Sequence, residues 1–362
     1  MTAPRLTARI FKPEALSADE ITAWDDLCKS LPQYRSVFYT HAFALAASTV
    51  GYRVNVAVLY ADDDLVGFFP FQYPDRLAEA LGVAERVGEE MSDYFGVIAH
   101  PHIRLDSSKL LKASGLNLCS FTHLDETQVE RGLQGKQPEP GLRIELPDGN
   151  ENYWTTLAAR DKKFVSDTER RMRKLGQDLG KIDFCFQSCT RKHDIDYLLQ
   201  AKREQYSRTG KVDWLAGRKR EALVRSLLNS NTKSCTGVLS VLRAGETWVA
   251  MHFGLQCQDV LHCWLPVYNP EFHAYAPGRL LLTRILQAAD EHGIRAIDRG
   301  AGDTPAKRDF ANATHQFYRG LWSRNEAVRL IHRGMMIPKW GLPLSSRQAG
   351  RQAARQAGRQ AE

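Results

Sequence analysis

The sequence predicts an α+β (α/β) fold laid out in two halves, and three patterns predict it. Each half opens on helical segments and passes into short strands of alternating apolar and polar residues. In the second half three such strands follow one another through short turns, the signature of an antiparallel meander. A long amphipathic helix opening at Pro277-Gly278 then precedes a short apolar strand, the order of an α+β layer structure. With 362 residues, 43% of them hydrophobic and 25% charged, the chain has length for two domains and the composition of an ordinary folded protein.

Ser17-Ala-Asp-Glu20 is a capping box and opens a helix that runs to Leu31; a second helix covers Thr40 to Val50. Tyr52 to Tyr60 and Leu65 to Phe71 alternate like strands around the turn residues Ala61 to Asp64, so they pair as a hairpin. A helix starting near Pro74, an extended Met91 to Ile98, a helix over Asp106 to Ala113 and a strand over Leu116 to Thr122 complete this half. Residues 131–141 have no periodicity and concentrate Gly and Pro, which reads as a connection. The expected division is therefore residues 1–140, residues 141–335, and a basic tail over 336–362.

Helices over Tyr153 to Gly176, Asp194 to Arg208 and Gly217 to Asn229 open the second half, with a strand at Ile182 to Gln187. The meander comprises Gly237 to Arg243, Trp248 to Leu255 and Val260 to Val267. The helix Gly278 to His292 has a broad apolar face and ends on Gly293; a buried strand over Ile294 to Asp298 and a hairpin near Phe317 to Leu330 follow. The tail repeats Arg-Gln-Ala from Arg347 with no apolar face to hold a helix, so it reads as disordered.

The composition also excludes classes of function. No apolar run is long enough to span a bilayer, and the first residues lack a secretory leader, so a cytoplasmic protein without membrane insertion is expected. The seven cysteines are odd in number and scattered, which suits reduced thiols. Cys185 and Cys189 form a CxxxC pair with no second pair at matching spacing, and Cys263 adjoins His262; no metal site is expected. The net charge is +7, of which +3 lies in the last sixteen residues, so the folded part is only mildly basic. That suits an anionic nucleotide ligand as well as it suits nucleic acid; no DNA partner is expected.

The segment with chemical promise is Tyr275-Ala-Pro-Gly-Arg279. A helix N-terminus presents unpaired N–H groups and the positive end of its dipole to an anion; here Pro277 fixes the entry, Gly278 permits close approach and Arg279 adds a cation. A Pro-Gly pair also simply starts many helices. The longer run, Tyr268-Asn-Pro-Glu-Phe-His-Ala-Tyr-Ala-Pro-Gly-Arg-Leu-Leu282, with Gly293-Ile-Arg-Ala-Ile-Asp298, Gly300, Gly302, Lys307 and Phe310, resembles the GNAT-type acetyltransferases of the cellulose-biosynthesis (CelD/BcsL-like) family, relatives of the FemAB group. Gly67 to Pro70, Ser92-Asp-Tyr94 and the basic helix Lys162 to Lys174 are similar to further elements of that family, so the resemblance covers residues 20–325. One departure is Ala306, where the family usually has a tyrosine before Lys307.

The resemblance implies tandem GNAT-like domains, each a mixed, mainly antiparallel central sheet flanked by helices. The second domain binds the acyl-CoA, acetyl-CoA first among donors, and the first lends a wall to the acceptor cleft. It implies direct attack of an amine, or less often a hydroxyl, on the thioester, with no metal and no covalent nucleophile. Pro277, Gly278, Arg279, Leu280, Gly300, Gly302 and Lys307 would then hold the cofactor, and Asp93 and Tyr94 the acceptor. Strand Trp248 to Leu255 would supply an oxyanion donor where the sheet splays.

Asp298, its pKa raised by burial, and His252 are candidate bases, while Tyr268 and Tyr275 are candidate donors of a proton to the leaving thiolate. Each has a structural alternative: Asp298 can cap the following glycine turn, His252 can simply pack in its strand, and both tyrosines can be core aromatics. The basic helix can be a solvated face. The expected function is acyl transfer to an amino group of a sugar, amino acid or envelope or polysaccharide precursor. Two alternatives stand beside it: an aminoacyl transferase of the FemAB kind drawing on aminoacyl-tRNA, with the 160–230 helices its only tRNA-binding candidate, and a non-catalytic partner of the polysaccharide synthesis machinery.

Overall fold

The computed structural model of the chain describes residues 6–324. Among them, fourteen strands join in one mixed sheet flanked by helices. The first half supplies β1 (Leu6–Phe11), β2 (Arg53–Ala61), β3 (Asp64–Tyr73), β4 (Val83–Glu85), the two-residue β5 (Ile98–Ala99), β6 (Leu118–Asp125) and β7 (Lys136–Glu145). The second supplies β8 (Ile182–Cys185), the short β9 (Asn231–Thr232), β10 (Cys235–Ala244), β11 (Thr247–Cys257), β12 (Val260–Tyr268), β13 (Ala296–Ala301) and β14 (Ala313–Ser323).

The pairing repeats. In the first half β1, β2, β3 and β4 are antiparallel neighbours and β4 lies parallel to β6. In the second β8, β10, β11 and β12 are antiparallel neighbours and β12 lies parallel to β13. Each half then donates a strand across the middle: β7 pairs with β13, β14 pairs with β6, and β7 and β14 pair with each other. One sheet therefore runs through the whole molecule, and its centre is built from exchanged strands.

Local chemistry explains the elements that the sequence foretold. Ser17 accepts from the Glu20 amide and Glu20 accepts from the Ser17 amide, so the expected capping box starts the helix Ala18–Ser30. The β2–β3 turn places Asp62 and Asp63 at φ 50° and 74°, the doubly left-handed turn that matches strand twist. The helix Pro277–Gln287 buries Leu280, Leu281, Ile285 and Leu286 against Val249, Ala250, Leu261 and Ile297 of the sheet. That core also receives the helices Gly149–Arg160 and Lys162–Leu179. The opposite face carries the helices His41–Thr49, Arg191–Thr209 and Arg218–Leu228, whose apolar residues form one cluster with residues of both halves. No helix among the described residues is long and apolar enough to cross a membrane.

Several expectations require correction. Residues 136–141, read as part of a connection, form the start of a central strand. Pro138 and Pro140 disguised it, since proline lacks the donor a ladder needs. It is tolerated because β13 ends opposite Gly141, leaving that flank open, while the Pro140 carbonyl accepts from the Gly302 amide at 2.8 Å. The 1–140 and 141–335 division would thus cut β7. The helix over 153–176 is two helices broken at Asp161, which caps the second through the Phe164 amide. Met91 to Ile98 starts at the last residue of a short 3-10 turn, Glu89–Met91, and contains little strand. The helix expected to reach His292 ends at Gln287, with a separate 3-10 turn over Asp290–His292 before Gly293 at φ 66°. Strand β14 stands where a hairpin was expected; the rest of that hairpin and the 336–362 tail lie outside the described residues.

Leu286 is wholly buried under the 277–287 helix. Leu286→Ala is expected to lower unfolding free energy by about 2–5 kcal/mol, read from the urea midpoint.

Candidate active site

The parallel strands β12 and β13 are in register for three pairs, ending at His262↔Asp298. Beyond that pair β12 continues to Tyr268 and β13 to Ala301 with no further register between them, so the sheet opens into a wedge. On the other flank of β12 the ladder with β11 slips between Phe253 and Leu255, and Cys263 and Trp264 have no partner there either. Two consecutive residues at the mouth of the wedge thus lie outside the register on both flanks.

At the apex, side chains from both halves meet. His262 Nε2 donates to Asp93 Oδ2 at 2.7 Å, and its Nδ1 lies 3.7 Å from Asp298 Oδ1. Asp298 also accepts from the Tyr94 hydroxyl at 2.5 Å and from the Gly300 amide at 2.7 Å. Since the Tyr94 proton goes to Asp298, His315 Nε2, 3.2 Å away, donates to the phenol oxygen. Arg143 of β7 stands opposite Asp298 in the ladder, and Phe38 closes the other side of His262, edge to face at 4.9 Å. Behind Asp93, Arg86 holds the Ser92 carbonyl, Glu90 Oε2 at 2.7 Å and His123 Nδ1 at 2.8 Å.

The charges follow from this packing. Burial works against a charged imidazole at His262, yet Asp298 and Asp93 outweigh it and lift its pKa to about 10. Burial likewise works against charge on Asp298, but His262, His315 and Arg143 hold it well below the usual carboxylate range. Asp93 is held low in the same way, chiefly by His262 against burial. Burial and Asp298 push the Tyr94 phenol far up. The apex is thus an imidazolium clamped between two carboxylates, and Asp93, whose side chain is 27% exposed, is the carboxylate that meets solvent.

Of the residues singled out from the sequence, Asp298, Asp93, Tyr94, Gly300 and Lys307 come together here. Lys307 Nζ donates to the Ala301 carbonyl at 2.6 Å and lies 3.3 Å from that of Gly300. Gly300, at φ 63°, sits with its would-be Cβ 3.4 Å from Asp93 Oδ2, and Gly302, at φ 100°, beside Lys307. Asp298 does cap the glycine turn, and its pKa moves opposite to the expected direction, because the cations around it outweigh its burial. The splay lies one strand over from the expected Trp248 to Leu255 segment, which pairs with β10 and, apart from its start and the slip at Gly254, with β12. His252 is buried on β11 with both ring nitrogens unpartnered. Tyr268 lies at the end of β12, 36% exposed. Tyr275 is away from the apex, its hydroxyl donating to Asp178 at 2.7 Å.

At the start of the 277–287 helix, the Arg279 and Leu280 amides both donate to the Ala276 carbonyl, which leaves the Gly278 N–H for an anion. Nothing lies within 4 Å of a Gly278 Cβ, so the approach is open. Leu280 is core. Arg279 donates to Asp167 at 3.0 Å and lies over the Phe164 ring, and Arg171 donates to both Asp167 and the Ala274 carbonyl. The cations of the 162–179 helix therefore line this helix start as an ion-paired frame. The sequence reading missed His262, His315, Arg143 and Phe38; His262 was visible only as a neighbour of Cys263.

Residues 162–308 match the family model of an acetyltransferase (GNAT) domain. Acyl transfer is the chemistry that match supports. Among solved structures, FemX is similar with a TM-score of 0.61 at 9% identity, over 89% of this chain and 99% of that one. The C-terminal (DUF2156) domain of a putative lysylphosphatidylglycerol synthetase from Agrobacterium fabrum aligns with a TM-score of 0.51 at 10% identity, over 88% of this chain and 96% of that one. A conserved protein of unknown function from Bacteroides thetaiotaomicron gives 0.51 at 12% identity, covering 88% and 99%. At such identities the shared property is the fold, here over nearly its full length. No curated protein matches the chain.

The charge arrangement has a pH signature. His262, raised from 6.5 to about 10, contributes stability that is whole below pH 6.5 and is lost as pH rises through about 10. Asp93 and Asp298, held low, contribute above their ordinary value and lose it as pH falls. An imidazole NMR titration is expected to find His262 still charged at about pH 8, and Asp298→Asn to bring its midpoint down by about one pH unit or more.

Proposed function

We propose that the chain is an acyl-CoA-dependent acyltransferase whose acceptor is an amino group of a sugar, amino acid or envelope or polysaccharide precursor. The observation that carries this reading is the opening between β12 and β13, with an anion-ready helix start after one strand and a glycine turn after the other. An acyl-CoA would set its diphosphate at the Gly278 amide within the Arg171 and Arg279 frame and run its thioester into the wedge. There the out-of-register stretch at Cys263 and Trp264 would turn a backbone N–H toward the carbonyl oxygen, a preorganised site for the charge that grows in the transition state.

The acceptor enters from the Asp93 side. An ammonium or amino group finds there a carboxylate fixed by His262, and Lys307 lies across the glycine turn. Asp93 orients the nitrogen toward the acyl carbonyl and passes its proton to solvent, while His262 and Asp298 keep Asp93 ionised and aimed. Attack on the carbonyl then forms the amide. The seam position suits the proposed division of labour, with Asp93 from the first half and the donor site from the second. An aminoacyl-tRNA donor finds less support, since Arg170, Arg171, Arg173 and Lys174 of the 162–179 helix are each ion-paired within that helix.

Titration calorimetry with acetyl-CoA and a longer acyl-CoA tests the reading. Wild type is expected to bind at least one, and Gly278→Glu, which puts a carboxylate at the open helix start, to bind at least about 10-fold more weakly. Binding of neither donor to wild type would sink the proposal. With an acceptor in hand, Asp93→Asn is expected to lower kcat/KM by about 10²-fold, with acyl-CoA affinity unchanged.

A further inference from the structure

Direct attack on a CoA thioester requires no nucleophile from the protein, yet one stands in the wedge. Cys263 follows His262 on β12, in the stretch that is out of register on both flanks, and is half-buried. It belongs to the face that packs against the 277–287 helix, together with Phe272 and Tyr275. This is the side from which the donor would arrive.

His252, on the adjoining β11, lies over Gly254, beside the stretch where Cys263 falls out of register. Its side chain is 1% exposed, and neither ring nitrogen has a hydrogen-bond partner within the protein, a costly state for a buried imidazole. The ring lies over Gly254 at the bulge: a Cβ there would stand 2.3 Å from His252 Cε1 and 2.7 Å from the His262 carbonyl oxygen. A glycine is needed to seat this imidazole against β12. Charged groups on the surrounding elements also act on the thiol: Arg299 on β13, whose Nη1 is buried without a partner, Lys307 beyond the glycine turn, and, from the opposite face of the sheet, His262 and Lys202 of the 191–209 helix. Burial works to raise the pKa of the Cys263 thiol; His252 and the nearby Arg299 and His262 outweigh it and bring it down to about 6.

We propose that Cys263 is an acyl-accepting thiolate, with His252 as its proton partner, and that acyl transfer passes through a thioester on this residue. In the first step Cys263 Sγ bonds to the acyl carbonyl carbon, the carbon–sulfur bond to CoA breaks, and CoA leaves as a thiolate that takes the proton of the His252 imidazolium. In the second the acceptor amine, oriented by Asp93, bonds to the same carbon, Cys263 Sγ leaves with the bonding pair, the proton shed by nitrogen passes by Asp93 to solvent, and His252 takes a proton back from solvent. One thioester replaces another of similar energy and no oxidant or reductant is needed. The inference rests on the acyl-CoA reading above and adds a nucleophile to it.

Three measurements on the full chain decide it. Incubated with acetyl-CoA without acceptor and quenched in acid, wild type is expected to gain the mass of one acyl group, released by hydroxylamine and mapped to the Cys263 peptide; Cys263→Ala gains none. In the absence of any CoA, alkylation of Cys263 by iodoacetamide is expected to be half-maximal near pH 6, and His252→Ala to move that midpoint up by more than about one pH unit. Calorimetric binding of acetyl-CoA is followed in parallel. Binding without an acyl adduct, or an adduct that Cys263→Ala retains, overturns the inference and leaves the acyl-CoA reading intact. An alkylation midpoint above about pH 8, the range of an ordinary thiol, overturns it equally. Absence of binding overturns both.

Discussion

The arrangement of the site depends on one constraint: two parallel strands that begin in register cannot stay paired once they diverge. Strands β12 and β13 share a ladder only as far as His262 and Asp298. Past that pair their backbone groups lose their mutual partners, a state tolerated only where solvent or a ligand can satisfy them. The bulge at Gly254 extends the deficit to the other flank of β12. The sheet thus breaks its register at its own centre, where a carbonyl oxygen carrying growing charge can meet the backbone.

Strand exchange explains why this opening is lined by groups distant in sequence. Because β7 crosses into the second half, Arg143 stands opposite Asp298. Because β14 returns toward the first, His315 reaches Tyr94. Tyr94 and Asp93, from the first half, meet Asp298 and His262 from the second, and each buried charge finds its counter-charge across the seam. A buried imidazolium between two carboxylates satisfies a need that none of the three could meet alone, since removing one partner strands a desolvated charge. The halves are therefore joined by electrostatics at the site as well as by the continuous sheet.

The two faces of the wedge differ in character. On one, Asp93, His262 and Tyr94 form a fixed charged wall beside Phe38. On the other, Cys263 and His252 sit among the apolar residues under the 277–287 helix. A thioester is a weakly polar group and an amine a strongly hydrated one, so a passage with an apolar approach for the first and a carboxylate for the second separates the two substrates before they meet.

The sequence by itself determined what local chemistry controls. The Ser17–Glu20 capping box, the aspartate turn between β2 and β3, the meander of β10, β11 and β12, and the helix opening at Pro277 were all legible, because caps, turns and periodicity act over a few residues. Asp298, Asp93, Tyr94, Gly300 and Lys307 were legible as candidates through family resemblance. Tertiary structure decided the rest. It made a strand of the proline-rich 136–141 segment, since whether a proline is tolerated depends on where the neighbouring strand ends. It reversed the expected pKa direction of Asp298, since burial raises a carboxylate only until cations are packed beside it, and His262, His315 and Arg143 come from three different strands. It also seated His252 over Gly254, beside the out-of-register Cys263, at a bulge that leaves no mark in periodicity. Short-range stereochemistry is written in the chain; which charges become neighbours follows only once the sheet has closed.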